Sequence, residues 1–194
     1  MKGSEEEPII GMISRLAEQK GFDILVEAID ELLKLKLFIV LLGQGDEKYE
    51  RQFAKIGKKH RGRFSVKIAF DGILARRIEA GSDMFLMPSR YEPCGLNQMY
   101  SLKYGTIPIV RATGGLDDTI KEFDPETGIG NGFKFAEYSS RAIIEKVTRA
   151  LAVYQNKKLW LKLMQNAMKE NFSWERSALR YQEIYRQAFS KFRL

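Results

Sequence analysis

Ser14-Arg15-Leu16-Ala17-Glu18-Gln19-Lys20-Gly21 places two cations five residues apart beside a glycine. A guanidinium and an ammonium so spaced can embrace an anion, and they do so best where a helix N-terminus adds its free N–H groups. Taken alone, the same pair also suits a surface with no ligand. A second segment, Pro88-Ser89-Arg90-Tyr91-Glu92-Pro93-Cys94-Gly95-Leu96, offers a carboxylate, a proline-constrained turn and a glycine ahead of a helix start. Glu92 can accept hydrogen bonds from vicinal sugar hydroxyls, while the N–H groups of Cys94, Gly95 and Leu96 can donate to hydroxyl or phosphate oxygens. Cys94 as a nucleophile would need an activating base. No histidine stands near it in sequence, so a packing or backbone-donating role is expected.

Two further segments are glycine turns after apolar runs. Gly43-Gln44-Gly45 invites a dinucleotide reading, but the full G-x-G-x-x-G fails at Lys48 and falls on the second strand, which disfavours a nicotinamide oxidoreductase. Arg111-Ala112-Thr113-Gly114-Gly115-Leu116-Asp117-Asp118 repeats the pattern of paired glycines after a strand. Other catalytic stock is small. With one cysteine and one histidine, His60, the chain cannot form an internal disulfide and is poorly supplied for zinc. A Ser-His-Asp triad would need His60, which stands in a Lys/Arg-rich stretch expected to be a solvated face. No apolar run nears the roughly 18 residues of a membrane span, and the start lacks the apolar stretch of a signal peptide. A cytoplasmic, metal-free domain that binds no membrane is expected.

The elements that must position these segments follow from hydrophobic periodicity. Ile9–Ser14, Leu37–Leu42, Phe64–Phe70, Met84–Met87 and Ile107–Val110 read as strands, with a weaker sixth at Gly132–Phe135. Helical stretches come between them: about Phe22–Leu35, a charged one reaching His60, Ile73–Ala80 and Leu96–Tyr104. From Ser139, a good N-cap, the chain reads as nearly all helix, with breaks near Gln155–Lys157 and Asn171–Ser173. Strands without alternation that keep returning through helices imply a doubly wound, Rossmann-like parallel sheet. Ligands of such sheets lie at the carboxyl ends of the strands, where all four segments fall.

The net charge of +7 is uneven. Residues 1–140 hold 20 Lys+Arg against 21 Asp+Glu, whereas residues 141–194 hold 12 against 4. A basic tail attracts phosphates, so a nucleic-acid-binding module is one alternative and a non-catalytic nucleotide-binding domain another. The tail's aromatics (Tyr154, Trp160, Phe172, Trp174, Tyr181, Tyr185, Phe189, Phe192) recur largely at helical spacing, as a packing stripe would. No nucleic-acid partner is expected.

The sequence resembles the glycogen and bacterial starch synthase family, retaining glucosyltransferases of the GT-B fold. The residues that carry the resemblance are Ser14-Arg15-Leu16 with Gln19-Lys20-Gly21, Pro88 to Leu96 with Gln98, Leu102-Lys103-Tyr104-Gly105-Thr106 with Pro108, and Thr113-Gly114-Gly115-Leu116 with Asp118-Thr119. It covers nearly the whole chain but only the family's C-terminal half. The resemblance implies a domain that binds ADP-glucose or UDP-glucose, with no cofactor and no metal, for transfer to the non-reducing end of an α-1,4-glucan. Arg15 and Lys20 would hold the diphosphate and Glu92 the glucose hydroxyls. Backbone at Cys94, Gly95 and Leu96 would contact sugar and distal phosphate, Phe70 the base, and Thr113 and Gly114 the phosphates or sugar. Tyr100 stands where related transferases place the second acid of a Glu-x7-Glu pattern, so one carboxylate would suffice here.

The resemblance also sets the expected organisation. Residues 1–7 would be a linker remnant, 8–138 the nucleotide-sugar-binding domain, and 139–194 helices packed on that same domain. A GT-B enzyme works in a cleft between two halves, and the glucan acceptor would be met through the other, N-terminal half. The chain alone is therefore expected to bind donor with little synthesis. Aromatics of the terminal helices that lean toward the other half would be left as an exposed apolar patch.

Overall fold

Short apolar runs bury both faces only when they lie side by side under helices, and the central strands of this chain do so, while the edge strand over 64–68 leaves Ser65 and Lys67 exposed. A computed structural model describes residues 7–191, so the proposed remnant, save Glu7, and Phe192 lie outside the described residues. The strands are β1 (Ile9–Ile13), β2 (Phe38–Gly43), β3 (Phe64–Ile68), β4 (Met84–Met87), β5 (Ile107–Arg111) and β6 (Phe133–Phe135). They form one parallel sheet in the order β3-β2-β1-β4-β5-β6. Ile10 is paired with Ile39 on one side and Met84 on the other. The fold is the doubly wound α/β sheet that the periodicity implies.

The helices are α1 (Phe22–Leu32), α2 (Glu47–Lys59), α3 (Gly72–Gly81), α4 (Asn97–Tyr104), the short α5 (Gly115–Thr119), α6 (Ser140–Gln155), α7 (Lys157–Lys169) and α8 (Trp174–Lys191). α1 packs on α2 and α6, while α4 packs on α3 and α7. Phe22 of α1 meets Phe53 of α2 edge-on at 5.3 Å, and Phe53 stacks on Phe64 of β3 at 6.1 Å. Caps mark the helix starts. The Asp71 carboxylate accepts from Ile73 and Leu74 N–H, and Ser139 Oγ accepts from Ala142 N–H, as its N-cap reading required. Two short helices escaped the periodicity, a single 3₁₀ turn at Glu18–Lys20 and α5, because neither is long enough to show a period.

The tail divides. α6 and α7 bury Val147, Ala150, Trp160 and Leu163, and Tyr154 meets Trp160 edge-on at 5.0 Å. α8 has no buried residue, and its first turns border a groove with Cys94, Leu96 and Met99. Trp174, Leu179, Ile184 and Tyr185 are exposed.

Candidate functional site

Because β1 and β4 are neighbours whose connections leave in opposite directions, a crevice opens beyond their carboxyl ends, the usual ligand site of such sheets. The segments following those strands, 14–21 and 88–96, form its walls. A cavity of about 390 Å³ lies there, lined among others by Arg15, Lys20, Ser89, Glu92, Gly95 and Leu96. At its bottom Lys20 Nζ donates to Glu92 Oε2 at 2.6 Å, and Ser89 Oγ donates to the same oxygen at 3.2 Å. Glu92 is only 7% exposed. A buried carboxylate with two donors is held in one place, and its other oxygen stays available to accept.

The walls are stitched together. Arg90 N–H donates to the Gln19 carbonyl at 2.9 Å, and the Gln19 amide donates to the Tyr91 carbonyl at 3.1 Å. Gly21 makes the close fit possible. With φ at 75° it ends the 3₁₀ turn and opens α1, and a Cβ there would stand 1.9 Å from the Pro88 carbonyl oxygen. The other segments act as supports. Leu16 bridges to Gly45 and donates to the Gln44 carbonyl at 2.9 Å, so Gly43-Gln44-Gly45 seats the Arg15 segment.

A second, larger cavity of about 690 Å³ adjoins the first and shares Ile13, Ser14, Arg15 and Asn97 with it. Phe70 and Asp71 stand on its far side, Phe70 being 89% exposed. Arg15 thus lies at the seam of the two cavities and is exposed, with no carboxylate partner among the described residues. Asn97, which the sequence reading passed over, donates to the Ile13 carbonyl at 2.9 Å and borders both cavities. Its only sequence signal is its place at the start of α4.

The structure therefore gathers Arg15, Lys20, Glu92, Gly95 and Leu96 at one cavity and puts Phe70 at the next. It does not gather Cys94, Thr113 and Gly114, which line neither. Exposed Cys94 faces a separate groove with Trp174 and Arg180. Gly114, at φ 48°, packs behind the Glu92 segment, and Gly115 N–H donates to the Glu92 carbonyl at 3.1 Å. The glycine pair supports the carboxylate from behind because only bare backbone fits there: a Cβ on Gly114 would stand 2.2 Å from the Glu92 carbonyl oxygen. Tyr100 is on the exposed side of α4 and borders neither cavity. His60 caps the end of α2, its Nε2 at 2.7 Å from Asp30 Oδ1, and it too stands apart from both. No group of three or more metal-ligating side chains occurs among the described residues, and no helix there is long and apolar enough to cross a membrane.

A doubly wound domain with a cation-and-carboxylate pair at its switch point has the form of a ligand-binding α/β domain. Residues 2–170 match the family model of the glycosyl transferases group 1, and the chain belongs to that family. Among its curated relatives are glycogen synthases. That of Thermosipho africanus is 56% identical over 185 residues, covering 95% of this chain and 38% of that protein. That of Koribacter versatilis is 52% identical over 181 residues, covering 93% of this chain and 37% of that protein. The catalytic domain of starch synthase IV from Arabidopsis thaliana, bound to ADP and acarbose, has a TM-score of 0.87 at 34% identity, over 98% of this chain and 40% of that one. The chain thus spans well under half the length of these relatives, and the part it matches is the synthases' C-terminal domain.

Proposed function

We propose that this chain is the donor-binding half of a glucan synthase. In this reading it holds ADP-glucose or UDP-glucose across the two adjoining cavities, for transfer of glucose to the non-reducing end of an α-1,4-glucan with retention. The observation that carries the reading is the meeting of Lys20 and Glu92 at 2.6 Å below a cavity that Arg15 also borders. The hexose lies in the smaller cavity, with its hydroxyls on Glu92. The diphosphate lies at the seam, where Arg15 and Lys20 neutralise the charge that grows as it leaves, the task a divalent cation performs elsewhere. The nucleoside occupies the larger cavity against Phe70. Gly95 and Leu96 contribute wall and N–H groups, while Gly114 packs behind the carboxylate's backbone. No metal, other cofactor, nucleic acid or membrane enters the scheme.

Positioning donor and acceptor together is worth on the order of 7–11 kcal/mol, and a chain with only the donor side binds but transfers little. Calorimetry with ADP, UDP and their glucose conjugates tests the reading. Saturable binding is expected, weakened by about tenfold or more by Arg15→Ala or Lys20→Ala, the worth of one charge-assisted contact. Unchanged affinity in both variants would overturn the diphosphate assignment. Glucose incorporation into a glucan is expected only when the chain is mixed with the N-terminal domain of a related synthase.

A further inference from the structure

Tyr138 follows β6, borders neither cavity, and is half-buried. Three charged side chains that flank the Lys20 and Glu92 segments nevertheless converge on it. Its hydroxyl donates to Asp23 Oδ1 at 2.5 Å. The Arg90 guanidinium lies 4.5 Å from its ring centroid and that of Arg111 lies 5.3 Å away. Each of these groups is tied to a wall of the crevice. Asp23 is in the first turn of α1, directly after the Lys20 segment, and its other oxygen accepts from Arg90 at 2.9 Å. Arg111 donates to the Ser89 and Arg90 carbonyls at 3.5 and 2.9 Å.

Two guanidinium groups gathered at one place repel one another, and among the described residues only Arg90 has a carboxylate, Asp23, to answer its charge. The negative face of an aromatic ring offers both cations a second partner, and the phenol proton occupies the carboxylate oxygen that Arg90 leaves. One side chain thereby brings Asp23, Arg90 and Arg111 into a single arrangement.

We propose that Tyr138 is a positioning residue for the Lys20–Glu92 pair, its ring and hydroxyl strapping the Ser89–Glu92 segment onto the Gln19–Lys20 segment from outside the cavity. The proposal rests on the reading above in which Glu92 holds the donor's hexose and the cations hold its diphosphate. A loosened strap then moves the carboxylate and harms recognition of the sugar more than that of the nucleotide.

The test uses the whole chain with Tyr138→Phe and Tyr138→Leu and two readouts. The first is exchange of the Arg90 amide, whose bond to the Gln19 carbonyl joins the two walls. The second is the ratio of affinities for ADP-glucose over ADP and for UDP-glucose over UDP. Tyr138→Leu is expected to speed Arg90 exchange by about tenfold with β1 and β4 amides unchanged, and to lower the ratio by about tenfold with nucleotide affinity held within about twofold. Tyr138→Phe keeps the ring beside both guanidinium groups and is expected to restore most of both effects, leaving about a threefold change in Arg90 exchange. Should Tyr138→Leu fail to fold, that threefold change decides the matter, and its absence overturns the proposal. Equal loss of affinity for both ligands, or unchanged Arg90 exchange in both variants, also overturns it. If the unaltered chain binds neither sugar nucleotide, it is the functional reading that fails, while Arg90 exchange still judges the strap.

Discussion

At the scale of single residues, the chemistry of the crevice rests on a carboxylate taken out of water beside an ammonium. Glu92 tolerates its burial because Lys20 and Ser89 both donate to Oε2. The converse is a liability, for whichever partner loses its mate is left charged in a poorly solvated place. Glu92→Gln is therefore expected to cost about 1–3 kcal/mol of stability, read from urea unfolding, because the amide cannot neutralise Lys20. The same variant is expected to weaken binding of a nucleoside diphosphate glucose while leaving the free nucleoside diphosphate nearly unaffected. Both cations and the glutamate stand out in the sequence as charged residues beside glycines at strand ends, but for Arg15 and Lys20 that pattern alone suits a bare surface equally well. Asn97 was not legible, because its work depends on a carbonyl 84 residues away in the chain.

At the scale of elements, the site depends on how helices begin and how loops lean on each other. Asp71 closes the free N–H groups of α3 at the edge of the larger cavity. Asp71→Ala is expected to lower the melting temperature by about 2–4 °C, one cap's worth for a domain of this size, with the Lys20–Glu92 contact intact. The Tyr138 contacts make a pH-dependent contribution. Burial, followed by its bond to Asp23, pushes the Tyr138 phenol up from 10.0 to about 12. A folded-state value above the unfolded one means that the folded chain keeps a proton the unfolded chain gives up. The contribution is whole below pH 10 and is lost as the pH rises toward 12. The stability advantage over Tyr138→Phe is expected to shrink across that window in alkaline unfolding titrations. Asp23 behaves in the opposite sense. Burial opposes its ionisation, but the Tyr138 hydroxyl, the Ile24 N–H and Arg90 outweigh it and hold the carboxyl below 3.8, so its contribution fades only as acid takes the pH below that value.

At the scale of the whole molecule, the sheet and α1 to α7 form one packed body, and α8 stands out from it. Trp174, Leu179, Ile184 and Tyr185 are more than half exposed on a helix with no buried residue. An apolar stripe left in water contributes little to stability, so α8 is expected to open independently of the sheet. Hydrogen exchange followed by mass spectrometry should place peptides of 174–191 among the fastest and those of β1 and β2 among the slowest. Comparable protection in both would show that α8 is held by the body after all. Packing and exposure divide the tail aromatics in a way periodicity alone could not reveal. Tyr154, Trp160, Tyr181 and Tyr185 all read as members of one helical stripe, but only Tyr154 and Trp160 are buried.

The alternation of apolar runs with amphipathic stretches was enough to specify the strands, the long helices and the parallel sheet, because burial on both faces leaves a local mark in residue type. The same local chemistry singled out Arg15, Lys20 and Glu92. Tertiary structure alone decided that Lys20 and Glu92 touch, that the glycine pair at 114–115 backs the carboxylate instead of lining the cavity, and that Tyr138 gathers Asp23, Arg90 and Arg111. These are contacts between segments distant in the chain. They are set by strand order and crossover direction, which residue periodicity does not record.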